Sequence, residues 1–312
     1  MEESNRVPIK GGNGVKRKIL ITGGNGFIGR YLCRELDRME NDILVVDNVL
    51  AAPDFPWKNK RANISEPEEI EAVLAEYQPN IIVHLAAIAS PVYRDTAEIY
   101  RVNVVGTENL LKGAAKLLPA GSRVILLSTA GVYGNQTEKR LHERLPFNPI
   151  NHYSYSKMIV EVLSRQYQDR LDICIVRPFN IVGIGQNKNF LLPKLVYHFK
   201  NRIPVLEIGN LAAVRDYVSV EFCAEVLSEL CTAENTPPII NICSGIGHSC
   251  QEVIDLLGKI SGFMPEVVPV ANFIRPNEIW SLIGDDTVLR TVTQGRYYTQ
   301  PLHNILERML AQ

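Results

Sequence analysis

Five short, nearly continuous apolar runs constrain the fold of this chain more than any other feature. They lie at residues 18–22, 43–47, 81–85, 123–128 and 172–177. A strand with one wet face alternates apolar and polar residues, whereas a strand covered on both faces is apolar throughout. Segments with helical apolar spacing separate the runs, at residues 28–39, 67–77, 97–118 and 154–169. The alternation predicts an α/β fold with a doubly wound parallel sheet and helices on both faces.

A glycine-rich turn directly follows the first predicted strand and opens the next helix. Gly23, Gly26 and Gly29 have the spacing G-x-x-G-x-x-G. Glycines allow a sharp turn, a close approach of backbone N–H groups to a pyrophosphate, and tight packing of the helix on the sheet. The helix N-terminus adds a favourable dipole for an anion. The turn therefore predicts a dinucleotide phosphate site.

Asp47 ends the second predicted strand, 18 positions after Gly29. An acid about 20 residues beyond such a turn typically binds the adenosine ribose. A carboxylate there accepts hydrogen bonds from both ribose hydroxyls and repels a 2′-phosphate. The predicted cofactor is therefore NAD(H) rather than NADP(H), with Arg61 as a weaker candidate for contact with a 2′-phosphate.

Tyr153 and Lys157 form a Y-x-x-x-K pair. The two side chains lie one helical turn apart and share a helix face, whereas Tyr155 faces elsewhere. A nearby ammonium and a positively charged nicotinamide favour the phenolate, so Tyr153 could exchange a proton with an alcohol or a ketone. Thr129 follows the strand at 123–128, at the sheet edge where ligands bind, and its hydroxyl could order the reacting oxygen. These three residues are the predicted catalytic group.

The composition excludes several other classes of protein. Hydrophobic residues make up 46% and charged residues 21%, and the net charge is −1. There is no excess of positive charge for bulk attraction to nucleic acid or to an anionic membrane. No run approaches the roughly 20 apolar residues of a membrane span, and the first 17 residues lack the apolar core of a signal peptide. We expect a cytoplasmic protein with reduced cysteines, no metal site, and neither nucleic acid nor membrane as a partner.

The pattern changes after residue 177, where Pro and Gly become more frequent. Helices are predicted at 190–201, 220–233 and 249–262, and strands at 205–208 and 239–242. We predict a flexible leader at 1–17, an NAD-binding Rossmann domain at 18–180, and a smaller mixed α/β substrate portion at 181–312. The chain is free to cross between the last two parts.

With these features in this order, the sequence resembles the extended short-chain dehydrogenase/reductases, of the NAD-dependent epimerase/dehydratase type that acts on nucleotide sugars. The resemblance runs from residue 18 to about residue 295. Further matching segments are His84-Leu-Ala-Ala87, Asn103-Val-Val-Gly106-Thr107, Arg177-Pro-Phe-Asn180, Val214-Arg215-Asp216-Tyr217 and Arg275-Pro276-Asn277-Glu278.

The resemblance implies roles for individual residues. Thr129 occupies the family's catalytic Ser/Thr position, and Asn103 supports the architecture of the active site. Arginines suit a diphosphate because a planar guanidinium can make paired bonds to phosphate oxygens. The implied substrate-binding residues are Thr129, Asn180, Arg215 and Arg275. The implied cofactor-binding residues are Gly23, Asn25, Gly26, Phe27, Ile28, Gly29, Asp47, Asn48, Asn63, Ile64, Leu85, Ala86, Ala87, Asn103, Ser128, Tyr153, Lys157 and Pro178.

Within the family, residues 177–186, 208–216 and 241–245 look most like the NDP-4-keto-6-deoxyhexose reductases, although Ile181 and Ile184 replace a His and a Pro. Residues 130–131 are Ala-Gly where 4,6-dehydratases carry Asp-Glu, which disfavours dehydration. The Asp-Asn pair at 47–48 instead resembles the 4-epimerases that keep NAD bound.

The predicted function is an NAD(H)-dependent oxidoreductase that acts at C4 of a nucleoside-diphosphate sugar, foremost an NDP-4-keto-6-deoxyhexose reductase. The alternatives are an NDP-sugar 4-epimerase with tightly bound NAD and a non-catalytic NAD or nucleotide sensor, because a fold does not determine a function. The base, the sugar and the direction of flux stay open. The resemblance also implies a homodimer that pairs the helices at 97–118 and 154–169.

Overall fold

The structure is a computed structural model, which describes residues 16–52, 55–89, 93–273, 277–296 and 299–312. The predicted leader at 1–17 lies outside the described residues except for its last two positions.

The strands and helices are numbered in chain order. The strands are β1 (Lys18–Thr22), β2 (Asp42–Asp47), β3 (Lys58–Arg61), β4 (Ile81–His84), β5 (Ser122–Leu127), β6 (Leu171–Pro178), β7 (Asn180–Val182), β8 (Val205–Ile208), β9 (Val214–Ser219), β10 (Ile239–Ile242), β11 (Gly247–Ser249), β12 (Glu266–Pro269) and β13 (Ser281–Leu282). The helices are α1 (Phe27–Asp37), α2 (Pro67–Tyr77), α3 (Thr96–Tyr100), α4 (Gly106–Leu117), α5 (His152–Ser164), α6 (Leu191–Lys200), α7 (Val220–Thr232), α8 (Cys250–Ser261), α9 (Thr287–Thr293) and α10 (Leu302–Ala311).

The main sheet has seven parallel strands in the order β10-β6-β5-β4-β1-β2-β3. The strand order reverses between β1 and β4, because β2 and β3 lie on one side of β1 and β4 to β6 on the other. Ligands of such sheets bind outside the carboxyl ends of the strands at this reversal. The predicted doubly wound parallel α/β fold is confirmed.

Two apolar layers cover the sheet and account for its continuous apolar strands. Ile19 and Ile21 of β1 pack into a cluster that contains residues of α1 and α7. Leu20, between them, packs into a second cluster that contains residues of α2, α4 and α5. Successive residues of a strand point to opposite faces, so both faces of β1 are covered by helices.

The chain after residue 180 contributes to two regions. Helices α6, α8 and α10 enclose a separate apolar cluster around Leu195, Phe199 and Leu257, beside a small sheet of β7, β9, β11 and β13. In contrast, α7 packs against α1, and β10 pairs with β6 as the outer strand of the main sheet. The division into 18–180 and 181–312 stays a prediction, and the chain crosses back to the main sheet after residue 180.

The structure differs from the sequence prediction at two elements that position the site. Strand β3 has the sequence Lys-Asn-Lys-Arg, which has no apolar pattern, and it lies at the edge of the sheet, where one row of backbone groups is free for solvent. The helix predicted at 97–118 is interrupted by a π-helical turn at Arg101–Val105. Such turns insert one extra residue and are frequent at functional sites.

All six cysteines are buried free thiols. Burial raises the pKa of the Cys223 and Cys231 thiols to about 12. In the part of the chain that is described, none of the helices is both long and apolar enough to cross a bilayer.

His84 is a buried polar link between the sheet and α4. Its Nε2 lies 2.8 Å from the Thr107 hydroxyl, which itself donates to the Asn103 carbonyl oxygen at 2.6 Å. Nε2 must therefore carry the proton and donate to Thr107, while Nδ1 accepts from the Thr22 hydroxyl at 2.7 Å. Burial lowers the pKa of His84 to about 3, and the charge of Lys157 contributes to this decrease.

We predict that His84 makes stability depend on pH. Its folded-state pKa of about 3 lies below the ordinary value of 6.5, so the unfolded chain binds the proton more tightly. The His84 contribution is then complete above about pH 6.5 and decreases as the pH falls towards 3, by up to about 1.4 kcal/mol per pH unit. Denaturant unfolding at several pH values measures it. The His84→Gln variant should have a shallower slope than wild type, whereas exposed His303→Gln should keep the wild-type slope. Equal slopes for all three proteins would contradict the prediction.

Candidate active site

A cleft of about 1230 Å³ opens at the carboxyl edge of the main sheet and continues towards β7, β9 and the segment before β13. Most of the predicted site residues lie along it. These are Gly23, Gly26, Phe27, Ile28, Gly29, Asp47, Asn48, Asn63, Ile64, Leu85, Ala86, Ala87, Ser128, Thr129, Tyr153, Pro178, Asn180 and Arg215. The structure thus brings the predicted dinucleotide, catalytic and substrate residues into one continuous space.

Four predicted residues are not part of this lining. Asn25, Asn103 and Lys157 lie behind it and hold neighbouring segments in place, as described below. Arg275 lies outside the described residues, so its predicted contact with substrate stays a prediction.

The glycine turn brings the backbone of three segments into close contact. Gly23 has a φ of +70°, and a Cβ on it would lie 2.6 Å from the backbone nitrogen of Ala86. A Cβ on Gly29 would lie 2.5 Å from both Cα and O of Gly24, so the first turn of α1 packs directly on the loop. A Cβ on Gly26 would meet only the Gly23 carbonyl oxygen, at 3.1 Å. Gly26 therefore borders open space of the cleft.

Helix α1 begins at this turn with its N-terminus towards the cleft. Among the described residues, no side chain caps it, and its first turn carries no acidic residue. Backbone N–H groups at an uncapped helix start, together with the helix dipole, suit a phosphate. These features fit the pyrophosphate of a dinucleotide.

Asp47 lies at the end of β2, half-buried beside the glycine turn. Its carboxylate accepts hydrogen bonds from the backbone N–H groups of Asn25, Asn48 and Val49, which lower its pKa, but burial is the larger effect and raises the pKa overall. The Asn25 side chain donates to the Val49 carbonyl oxygen at 2.7 Å. Asn25 thus fixes the loop after Asp47, and the cofactor contact predicted for it stays a prediction.

Asn103 anchors the loop after β4 to helix α5. Its side chain accepts a hydrogen bond from Ile88 N at 2.8 Å and donates to Ile88 O at 3.2 Å and to Ser156 Oγ at 2.9 Å. It lies in the π-helical turn, and only 1% of it is exposed. The arrangement agrees with the supporting role that the family resemblance implies for it.

Tyr153 and Thr129 meet at the centre of the cleft. Tyr153 lies in the first turn of α5, which the Asn151 side chain caps by accepting from Ser154 N at 2.9 Å. Burial raises the pKa of Tyr153 to about 12, and a hydrogen bond with the Thr129 hydroxyl opposes this increase. The phenol is therefore protonated at neutral pH in this structure, and the shift towards the phenolate that a positively charged nicotinamide would cause stays a prediction. The side chain of Tyr155 is 41% exposed and points away from the phenol of Tyr153.

Lys157 lies one helical turn beyond Tyr153 and is only 3% exposed. Its ammonium donates to the Leu127 carbonyl oxygen at 2.7 Å, at the end of β5. Burial lowers the pKa of Lys157 to about 8, and the Glu161 carboxylate opposes this decrease.

Ser128 lines the cleft, but its hydroxyl donates to Glu161. The sequence analysis missed Glu161, although its spacing of four residues from Lys157 could have indicated it.

Arg215 and Asp216 of β9 point to opposite faces of the strand. Arg215 borders the cleft, whereas Asp216 holds loops behind it. The Arg215 side chain lines the cleft and forms an ion pair of 2.7 Å with Glu278. The Asp216 carboxylate is buried and accepts hydrogen bonds from Ser244 N, Gly245 N and Gly284 N at 2.8, 2.9 and 3.1 Å. Asp216 therefore fixes the loops behind Arg215.

Three amide side chains in the cleft have buried atoms without a hydrogen-bond partner among the described residues: Asn180 Oδ1, Gln186 Oε1 and Asn210 Nδ2. Gln186 is oriented by its bond to the Ile181 carbonyl oxygen at 2.8 Å, and Asn210 by a bond from Ala212 N at 2.9 Å. Buried polar atoms are normally paired. These unpaired atoms suit a polar ligand. Gln186 and Asn210 were not among the predicted site residues, because amide side chains in loops carry little sequence signal.

Comparisons with known proteins agree with this geometry. The profile of the NAD dependent epimerase/dehydratase family matches residues 19–243. A GDP-6-deoxy-D-talose 4-dehydrogenase of Aggregatibacter actinomycetemcomitans is 38% identical over 295 residues, which cover 94% of this chain and 96% of the relative. A GDP-6-deoxy-D-mannose reductase of Pseudomonas aeruginosa is 28% identical over 267 residues, with coverage of 81% and 83%. A crystal structure of a protein of Burkholderia cenocepacia J2315, provisionally named an epimerase, has a TM-score of 0.87 at 34% identity and covers 95% of this chain and 97% of its own.

The different surroundings of Gly26 and Gly29 lead to a prediction. A Cβ on Gly29 would collide with the backbone of Gly24, so Gly29→Ala should lower both the melting temperature and the affinity for the dinucleotide. A Cβ on Gly26 would project into the cleft, so Gly26→Ala should weaken dinucleotide binding by about tenfold or more with little change in stability. Calorimetric titration and thermal unfolding measure the two effects. Equal losses of stability in both variants would contradict this assignment.

Proposed function

This chain belongs to the NAD-dependent epimerase/dehydratase family, and from that premise we propose that it catalyses hydride transfer at C4 of a GDP-linked 6-deoxyhexose, foremost as a 4-keto-6-deoxyhexose reductase. It is an enzyme and its cofactor is NAD. The observation that carries the proposal is the meeting of Tyr153 and Thr129 in a cleft that joins the glycine turn to Arg215. By name, one relative is a 4-dehydrogenase of GDP-6-deoxy-D-talose and another is a GDP-6-deoxy-D-mannose reductase. Both names include GDP, which supports GDP as the nucleotide of the substrate.

When bound, NAD(H) would supply the hydride chemistry at sugar C4. Gly26 and the start of α1 would hold its pyrophosphate, and Asp47 would hold its adenosine ribose. Thr129 orients the C4 oxygen beside Tyr153. In the reduction direction, the Tyr153 phenol gives its proton to that oxygen and becomes a phenolate, which solvent reprotonates. In the oxidation direction, the phenolate takes the proton of the C4 hydroxyl.

The protonation state of Tyr153 suits the proton-donating step of ketone reduction. Burial raises its pKa to about 12, so the phenol carries its proton at neutral pH. Oxidation requires the phenolate and should therefore accelerate as the pH rises.

Arg215 supports the diphosphate side of the proposal. Its guanidinium borders the cleft and is held by Glu278 at 2.7 Å, which orients the planar donor group for phosphate oxygens. The unpaired atoms of Asn180, Gln186 and Asn210 supply an additional donor and two acceptors for sugar or nucleoside hydroxyls and amides.

A 4-epimerase is the second candidate, favoured by the fold match at 34% identity to the protein provisionally named an epimerase. In that reaction the same residues would exchange the proton of the C4 oxygen, while tightly held NAD would take the C4 hydride and return it to the opposite face of the sugar. The two candidates differ in whether the reduced cofactor is consumed.

The proposal is tested by following the absorbance of the reduced nicotinamide with GDP-, dTDP- and UDP-linked substrates. We expect NADH to be consumed with a GDP-4-keto-6-deoxyhexose, and NAD to be reduced with the matching GDP-6-deoxyhexose. Interconversion of sugars with no net change in NADH would favour the epimerase. Absence of turnover with all three nucleotides would overturn the proposal.

We predict that Tyr153→Phe loses turnover by at least about a hundredfold, because it removes the proton-exchanging group, while its NAD affinity stays close to that of wild type. Tyr155→Phe is the matched control, since Tyr155 lies two residues away on the same helix and is exposed. It should retain wild-type turnover. Comparable rates in the two variants would remove Tyr153 from the mechanism.

We also propose a homodimer that pairs the adjacent helices α4 and α5 with those of a second copy. Val105, Tyr155 and Val162 are large apolar residues that remain 48%, 41% and 46% exposed on or next to these helices. Sedimentation should show a dimer for wild type and a monomer for Val162→Glu. A monomeric wild-type protein at micromolar concentration would contradict the proposal.

A further inference from the structure

A buried ion pair lies directly behind the proposed catalytic group. Arg177 of β6 and Glu161 of α5 are 2% and 1% exposed, and Arg177 Nη2 lies 2.6 Å from Glu161 Oε2. Arg177 Nε donates to both carboxylate oxygens, at 3.0 and 3.2 Å. Burying two charges costs so much desolvation that such a pair often adds little net stability. Its position therefore points to a role beyond that of holding α5 on the sheet.

Glu161 also contacts the segment that carries the catalytic residues. The Ser128 hydroxyl donates to its Oε1. Ser128 lies between Thr129 and Leu127, and the Leu127 carbonyl oxygen accepts a hydrogen bond from the Lys157 ammonium. Glu161 lies one helical turn beyond Lys157, which in turn lies one turn beyond Tyr153. The carboxylate thus contacts the residue directly after β5 and acts electrostatically on Lys157 along α5.

In the described part of the chain, the titratable and charged groups around Lys157 come from β4, α5 and β6. His84 faces it from β4 and is neutral, since burial lowers the pKa of His84 to about 3. From α5, Glu161 opposes the effect of burial on Lys157, and the Tyr153 phenol is protonated. From β5, Lys157 meets only the Leu127 carbonyl oxygen, and from β6 the charge of Arg177 is paired with Glu161.

We propose that Glu161 is a positioning residue, which keeps the Lys157 ammonium charged and holds the end of β5 in register with α5 for hydride transfer. Its negative charge stabilises the buried ammonium, and its bond from Ser128 fixes the strand end beside which Lys157 and Thr129 lie. The importance of the ammonium for turnover rests on the proposed function. Its effect on NADH binding rests on the cofactor contact predicted for Lys157, which does not depend on the identity of the sugar.

Arg177 completes the arrangement by fixing Glu161. Its Nη1 donates to the Glu143 carbonyl oxygen at 3.0 Å, and its guanidinium lies over the rings of Tyr133 and Phe147 at 4.8 and 5.2 Å. The Glu143 carboxylate accepts from Asn241 N of β10 at 2.9 Å. Glu161 is therefore held from β6 by a guanidinium that is itself fixed on several sides.

The test uses Glu161→Gln, which removes the negative charge of the side chain and keeps its shape. In Glu161→Gln the Lys157 ammonium loses its stabilising charge, so Lys157 should lose its proton at a lower pH than the value of about 8 in wild type. The alkaline limb of ketone reduction and of NADH binding should both move to lower pH by about one unit. NADH affinity is measured by fluorescence titration, which remains informative if no nucleotide sugar is turned over.

Asp172→Asn is the matched control. The Arg123–Asp172 pair, at 2.7 Å, also joins β5 and β6, but at the opposite ends of those strands. It should keep both wild-type pH profiles. Unchanged profiles in Glu161→Gln, or equal shifts in both variants, would overturn the proposal.

Thermal unfolding distinguishes a Glu161→Gln variant that does not fold from one that folds but no longer holds Lys157 and the end of β5 in place. If Glu161→Gln does not fold, the double variant Glu161→Gln with Arg177→Met removes both buried charges and so avoids an unpaired guanidinium. The proposal expects the alkaline limb of NADH binding to move to lower pH in this variant as well, because the carboxylate that stabilises the Lys157 ammonium is gone. A wild-type profile in the double variant would contradict it.

Discussion

The parallel hydrogen-bonding register of the main sheet is the constraint on which the rest of the structure depends. Because all seven strands run in one direction, their carboxyl ends meet at a single edge. The glycine turn follows β1, Asp47 ends β2, Leu85 follows β4, Thr129 follows shortly after β5, and Pro178 ends β6. Residues far apart in the chain therefore form one cleft.

The site combines this edge with the first three turns of α5. The phenol of Tyr153 faces the cleft, while Lys157 and Glu161 extend from the same helix face into progressively drier surroundings. The same burial that raises the pKa of Tyr153 to about 12 lowers that of Lys157 to about 8. Desolvation thus favours a neutral phenol and a weakly held ammonium proton. The hydrogen bond with the Thr129 hydroxyl opposes the first effect, and the Glu161 carboxylate opposes the second.

Sequence patterns could predict the sheet, the glycine turn and the Tyr153–Lys157 pair, since each rests on local spacing and a strong physical requirement. They could not predict β3, whose polar residues tolerate a sheet edge, or the π-helical turn, which depends on the contacts of Asn103. Glu161 was missed because a carboxylate in the middle of a helix usually faces solvent. Its four-residue spacing places it on the same helix face as Lys157, and the tertiary contact with Arg177 shows that it is buried.

The return of the chain to the main sheet has a consequence for how the protein can be divided. Strand β10 covers the edge of β6, and α7 covers one face of the central strands. A fragment that stops near residue 180 would present β6 as a bare strand edge with Ile173 and Ile175 beside it, a surface prone to pair with other chains. We expect such a fragment to aggregate when it is expressed alone, because it lacks the strand and the helix that cover this surface.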